Sequence, residues 1–430
     1  MHYFSTNRNS PSVTFRDAVL CGQPVDNGLY FPSEIPKASP EFIERLREFT
    51  NEEIAFEVIR PYVDGDIADD QLFAICTETV NFPFPIVPVC SNISALELFH
   101  GPTMAFKDVG ARFMSRCLKN FSSDRADKTI VIVATSGDTG GAVASGFHGV
   151  EGVEVIILYP KGRVSNIQEL QLTTFGGNVT TLAIRGNFDD CQALAKQALA
   201  DEELRRLGFL TSANSINVAR WLPQQFYYFY AVKQLDGDAP VFSVPSGNFG
   251  NAAAGLLAWR SGLPVDKFVA ACNANDVVPR FLRSGRYEPK RSTPTLSNAM
   301  DVGDPSNFVR ILELFDGSLE LLKEQLSAVS INDEATEDTI TEVFEKHDYV
   351  LDPHGAVAFK ALADGQGGGR QRGVFLATAH PVKFDSVERI LGNYGVMPEQ
   401  MSDLMSRKSI ASEIDANYSD VRDIILDKIK

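Results

Sequence analysis

The sequence predicts an α/β protein whose parallel sheets are covered by helices, preceded by a smaller N-terminal unit. Three observations carry that reading. Short β-branched and apolar runs without strict alternation, at 129–134, 153–159, 178–184, 241–245, 267–271 and 373–377, suit strands buried on both faces. Helical patterns alternate with them, including 188–204 (FDDCQALAKQALADEEL), whose acidic opening suits a helix N-terminus. The proline-rich run 82–88 removes amide donors and disfavours helix, which sets a boundary near residue 90.

Before that boundary, short helical patterns such as 39–49 mix with loops punctuated by Pro and Gly, so residues 1–90 read as a cap and 91–430 as the main region. A chain of 430 residues suits two or three domains at roughly 150 residues each. Its 44% hydrophobic and 22% charged residues are the balance of a soluble globular protein. The segment 364–373 (DGQGGGRQRG) reads as a surface loop.

The formal charge of −16 is spread without like-charge blocks, which argues against a nucleic-acid surface. Anionic ligands must therefore meet placed Lys and Arg side chains or helix N-termini. The six cysteines are widely spaced and match no metal or redox motif, so a reduced cytoplasmic protein without metal is expected. The opening MHYFSTNRNS lacks the basic and apolar regions of an export signal, and no apolar run is long enough to span a membrane.

Ligands in parallel α/β sheets collect where strands end and helices begin. Three such turns stand out. ATSGDTG (134–140) offers Ser136, Thr139 and main-chain amides to a carboxylate. SVPSGNFGN (243–251) offers a phosphate-sized loop in which Gly247 and Gly250 relax the backbone and Asn248 and Asn251 add donors. TAHPVKF (378–384) sets the Thr378 hydroxyl just past a strand. Upstream, HGPTMAFKD (100–108) places Lys107 in an apolar, small-residue context, where a desolvated amine serves as nucleophile or base.

These motifs, with NSINVAR (214–220), occur in an order that resembles the threonine synthases, and YFST, VDNGLYFPSEIP and TLSNAMDVGDPSNF extend the resemblance over nearly the whole chain. The resemblance implies a fold-type II pyridoxal-phosphate enzyme with two α/β lobes of parallel or mixed sheet and an N-terminal cap. It also implies conversion of O-phospho-L-homoserine and water to L-threonine and phosphate. Lys107 would carry pyridoxal 5'-phosphate as a Schiff base and move protons. Ser246, Gly247, Asn248, Phe249, Gly250 and Asn251 would hold the cofactor phosphate, and Thr378 would meet the pyridine nitrogen. Asp138 would lie beside the cofactor's phenolic oxygen; many relatives have Asn there, while the longer, cap-bearing ones commonly have Asp.

For the substrate, the resemblance assigns the α-carboxylate to Ser136, Gly137 and Thr139. It assigns the phosphate to Ser215, Asn217 and Arg220, with Asn214 in support and Lys161 or Arg163 closing over the site. His100, His354 and His380 take supporting roles, and the aromatic run Trp221, Phe226, Tyr227, Tyr228, Phe229 and Tyr230 packs into the core. A monomer is expected ahead of a homodimer. Three other readings stand beside the synthase: a phospho-lyase on the same scaffold that releases 2-oxobutyrate, a cofactor-binding protein without catalysis, and a nucleotide-binding oxidoreductase. The last lacks the glycine-rich turn it needs.

Overall fold

The computed structural model describes residues 1–122, 128–365, 372–392, 394–395 and 398–429. Its strands in chain order are β1 (His2–Ser5), β2 (Val13–Thr14), β3 (Tyr30–Pro32), β4 (Ile86–Cys90), β5 (Ile93–Glu97), β6 (Thr129–Ala134) and β7 (Val153–Pro160). There follow β8 (Val179–Arg185), β9 (Phe209–Ser212), β10 (Val241–Pro245), β11 (Lys267–Cys272), β12 (Leu326–Ser330), β13 (Gly373–Ala377) and β14 (Ser412–Asp415).

They form three sheets, ordered β2-β1-β3, β12-β11-β10-β13-β5-β4 and β14-β8-β7-β6-β9. The five-stranded sheet is parallel throughout. The six-stranded sheet is parallel except for β4, which runs antiparallel along its edge. All six strands expected from the sequence exist, and three of them, β6, β10 and β13, keep the expected bounds.

The strands that sequence reading passed over are short and mostly marginal. β4, β12 and β14 are edge strands, and β4 carries Pro88 with a register shift beside it, an arrangement an edge tolerates. Because β4 pairs with β5, the chain has joined the six-stranded sheet before residue 90. The helix expected over 188–204 is two helices, Phe188–Ala200 and Glu202–Leu207. Asp201 ends the first and caps the second by accepting from the amides of Glu203 and Leu204. The pattern at 39–49 likewise resolves into Pro40–Glu44, capped by Ser39, and a 3-10 turn at Leu46–Glu48. Most of the expected loop at 364–373 lies outside the described residues.

The N-terminal region shares one continuous core with the rest: Tyr3, Phe15, Val19 and Tyr62 belong to the same buried cluster as Phe113, Trp221, Phe242 and Leu376. The aromatic run is buried as expected. No disulfide joins the six cysteines. Among the described residues, no helix is long and apolar enough to cross a membrane, and no cluster of side chains suits a metal ion.

Arg310 fastens this core across the chain. It is fully buried, with its guanidinium 4.3 Å from the Trp221 ring centre. It donates to the carbonyls of Ser215 (2.9 Å), Ile216 (2.7 Å) and Tyr30 (3.1 Å) and to Asn307 Oδ1 (2.7 Å). The β3 strand of the cap and the NSINVAR turn are thereby held by one side chain. Each carbonyl stranded by its loss costs about 1–3 kcal/mol. Arg310→Met should therefore lower the unfolding free energy by about 3 kcal/mol or more in urea titration; a loss below about 1 kcal/mol would contradict this role.

Candidate active site

Three neighbouring strands deliver the key groups. In the six-stranded sheet β13 lies between β10 and β5, all three parallel, so their carboxyl ends share one edge. Past β5 comes Lys107, past β13 Thr378 and past β10 the loop 246–251. The turn after β6 brings Asp138 and Thr139 across from the five-stranded sheet. These elements border a cleft lined by Lys107, Asp138, Thr139, Ser215, Arg220, Gly247, Asn248, Phe249, Gly250, Asn251 and Thr378.

Lys107 opens the helix Lys107–Ser122, and the peptide before it is fixed from both sides. The Phe106 amide donates to the Thr378 carbonyl (2.8 Å), and the Tyr227 hydroxyl donates to the Phe106 carbonyl. Asp108 accepts at both oxygens from Thr103, at 2.9 Å from the amide and 2.6 Å from the hydroxyl. Burial lowers the Lys107 amine to about 8, with Arg220 and Lys383 pushing the same way and Asp138 opposing. An appreciable fraction is thus an unprotonated nucleophile near neutral pH.

Facing it, the loop 246–251 runs into the helix Gly250–Arg260. Among the described residues, the amides of Gly247, Asn248, Phe249, Gly250, Asn251 and Ala252 donate to no acceptor in the chain, which makes the helix N-terminus a ring of free donors. Gly247 is required by contact: a Cβ there would meet Met300 Cα at 2.5 Å. Phe249 holds a left-handed conformation (φ 60°), a strain typical of functional turns. Ser246 is buried, with its hydroxyl turned back to the Val244 carbonyl (2.8 Å), and shapes the loop from behind.

Ser215 Oγ accepts from both Asn248 Nδ2 (2.9 Å) and Asn307 Nδ2 (3.0 Å), so its own proton is available to an acceptor in the cleft. Arg220 is buried; Nη1 bonds the Ala213 carbonyl (2.6 Å), while Nε has no partner. Asn251 Nδ2 and Gln224 Oε1 are also buried without partners, and all three belong to residues lining the cleft. Burial lowers the Arg220 guanidinium to about 10, which still leaves it charged at neutral pH.

The turn 136–139 is organised by Thr135, whose hydroxyl accepts from Gly137 (3.0 Å) and Gly140 (2.9 Å). Gly137 has φ 139°, and a Cβ there would strike Gln168. Thr139 lines the cleft; Ser136 is half-buried beside it. Asp138 Oδ1 accepts from Lys383 Nζ (2.7 Å) and Gln168 Nε2 (3.0 Å). Burial opposes the charge, yet these partners prevail and hold Asp138 below the usual carboxylate range.

Several sequence expectations are corrected. Asn217 is fully buried outside the cleft, bonding the Val19 carbonyl (2.9 Å) and capping the helix Val218–Trp221, so it builds the turn that presents Arg220. Asn214 supports the turn by bonding the Ala134 carbonyl at the end of β6 (3.0 Å). Lys161 and Arg163 are exposed and do not line the cleft; Lys161 pairs with Glu413 on β14. Sequence reading missed Phe106, Gly110, Gln224 and Met300 in the lining, and Lys383 behind it; His354, expected in a supporting role, lines the cleft as well. His354 accepts from the Ala299 amide at Nε2 (3.2 Å) and faces Asp352 through Nδ1 (2.8 Å), which braces the segment against Gly247. Lys383 stood inside TAHPVKF, but only the tertiary fold reveals its partners.

Residues 90–379 match the family model for pyridoxal-phosphate-dependent enzymes. Residues 2–80 match that for the threonine synthase N terminus, and 355–425 the threonine synthase C-terminal model. The threonine synthase of Haemophilus influenzae is 45% identical over 430 residues, covering 99% of this chain and 100% of that protein. The crystal structure of threonine synthase from Escherichia coli superposes with a TM-score of 0.92 at 42% identity, covering 99% of this chain and 100% of that one. The PLP-bound threonine synthase structure from Brucella melitensis gives a TM-score of 0.93 at 36% identity with both chains fully covered.

The lowered amine predicts a pH dependence. Modification of Lys107 by a small amine reagent, followed by peptide mass mapping, should rise with pH and level off above about 8, because the free amine is the reactive form. A reactivity still climbing past ~10, as for an exposed lysine, would contradict the desolvated site.

Proposed function

The chain belongs to the threonine synthase family of pyridoxal-phosphate-dependent lyases, and on that premise we propose that it converts O-phospho-L-homoserine and water to L-threonine and phosphate. The observation that carries the reading is the placement of the lowered Lys107 amine opposite a loop of unpaired amides in one cleft. The residues fit the cofactor: an amine for its aldehyde, and donors at the start of a helix for its phosphate. When bound, pyridoxal phosphate supplies the electron sink that acidifies the substrate's Cα and Cβ protons.

The chain's own residues account for the remaining work. Lys107 would hold the cofactor, and its freed amine would take protons from Cα and Cβ and return one to Cα and one to Cγ. Loss of those protons lets the Cγ–O bond break with departure of phosphate; Cγ gains a proton and water adds at Cβ. Gly247, Asn248, Phe249, Gly250 and Asn251 bind the cofactor phosphate, with Ser246 behind them, and Thr378 takes the ring nitrogen. Ser136, Gly137 and Thr139 receive the substrate carboxylate at the start of the helix Asp138–Phe147. Arg220 and Ser215, with Gln224 beside them, receive the substrate phosphate; the unpartnered Arg220 Nε supports this assignment. A charge-assisted bond there, worth about 1.5–3 kcal/mol, favours the phosphorylated substrate over free homoserine. We read residues 1–90 as the cap, with its last strand β4 paired into the six-stranded sheet, and 91–430 as the catalytic region of two lobes.

The purified protein, given O-phospho-L-homoserine, should release threonine and phosphate in equal amounts, and Lys107→Ala should lower turnover by at least about 10³-fold. Phosphate accompanied by 2-oxobutyrate would move the function to a phospho-lyase.

A further inference from the structure

Lys383 is an ammonium with no exposed surface, an arrangement that costs several kcal/mol unless well compensated and that an apolar side chain would avoid. It sits at the end of the 3-10 turn Pro381–Lys383, a few residues beyond Thr378. Its Nζ donates to Asp138 Oδ1 (2.7 Å) and to the Thr103 carbonyl (2.8 Å). Its own carbonyl accepts from Ser165 Oγ (2.7 Å), which caps the helix Asn166–Thr173. That helix carries Gln168, the second donor to Asp138 Oδ1 (3.0 Å). Thr103 in turn holds Asp108, the neighbour of Lys107.

One buried charge thus joins the Asp138 turn of the five-stranded sheet, the Lys107 loop and the segment after β13. Both donors converge on Oδ1; among the described residues, Oδ2 has no partner in the chain, on a residue that lines the cleft. We propose that Lys383 is a positioning residue: it pins Oδ1 in the cleft wall so that Oδ2 is presented, ionised and in fixed register with Lys107, to a hydroxyl donor on the bound ligand. The inference rests on the cofactor reading above, since the cofactor's ring hydroxyl is the donor of that class. The lysine also supplies the charge that compensates a buried carboxylate at position 138. The charged and titratable groups facing the pair are Lys107, Asp108, His354 and His380.

The test compares the wild-type holoenzyme with Lys383→Met, Lys383→Arg, Asp138→Asn and the double variant Asp138→Asn/Lys383→Met. The readouts are the pH midpoint of the cofactor's visible absorption band, kcat and KM separately, and the thermal midpoint. Removing the cation should raise the band's midpoint by about 0.5 pH unit or more, because a proton at Lys107 Nζ is then less repelled. Removing the carboxylate should lower it by a similar amount, and the double variant should return to within about 0.3 unit of wild type. Lys383→Arg should stay near wild type, and Lys383→Met should lose kcat more than KM changes. If Lys383→Met does not fold, the opposed shift of Asp138→Asn and its reversal in the double variant carry the test.

A fall in thermal midpoint with the band's pH midpoint unmoved in every variant would reduce Lys383 to a structural role and overturn the proposal. A shift in the double variant as large as in either single one would overturn it as well. A wild-type protein that develops no visible band refutes the cofactor reading itself, an outcome distinct from either of these.

Discussion

The parallel register of β10, β13 and β5 is the constraint on which the rest depends. Ser243 pairs with Phe375 across β10 and β13, and Ala377 pairs with Glu97 across β13 and β5, so three chains end level with one another. Whatever follows each strand is delivered to the same edge: the 246–251 loop, Thr378 and the Lys107 segment. A separate antiparallel bridge between Ala105 and Ala379 ties the Lys107 segment to the residue after Thr378. A one-residue slip in this register would turn each strand's side chains to the other face and offset the strand ends by about 3.3 Å. The five-stranded sheet brings two segments into reach: the turn at 136–139 after β6, and Ser215 and Arg220 after β9.

Charge is the second organising quantity. The chain carries a formal −16, yet four cationic side chains converge on or behind the cleft: Lys107, Arg220, Lys383 and Arg310. Asp138 and Asp108 are the carboxylates set among them. A protein whose overall field repels anions thus keeps a small, desolvated, net-positive region for them. Burial makes each interaction there stronger than its surface counterpart, and it also lowers the Lys107 amine. Arg310 contributes through position, since its bonds to the carbonyls of Ser215 and Ile216 fix the turn that presents Ser215 and Arg220.

What the sequence made legible was local. Lys107, Thr378 and the 246–251 loop could be read because each stands at a strand end in a short motif of small residues. The central strands were legible because burial on both faces leaves continuous apolar runs. Edge strands such as LSAVS and SEID look like loop, since one side faces solvent and their pairing is decided by distant chain. Asn217 and Lys161 were misplaced for a related reason: donor side chains near a motif resemble ligand contacts, and only the fold shows that one caps a helix while the other pairs with Glu413. Lys383 lay in TAHPVKF, but its partners, Thr103 and Asp138, are hundreds of residues away in the chain.

We propose that this fold selects one lysine, Lys107, to bind the cofactor, although a second buried lysine, Lys383, lies close behind the same wall. Borohydride reduction of the cofactor-loaded protein, followed by proteolysis and mass mapping, tests that choice directly. One pyridoxyl group per chain is expected, on the peptide containing Lys107. A label on Lys383, or spread over surface lysines with Lys107 unmodified, would contradict it.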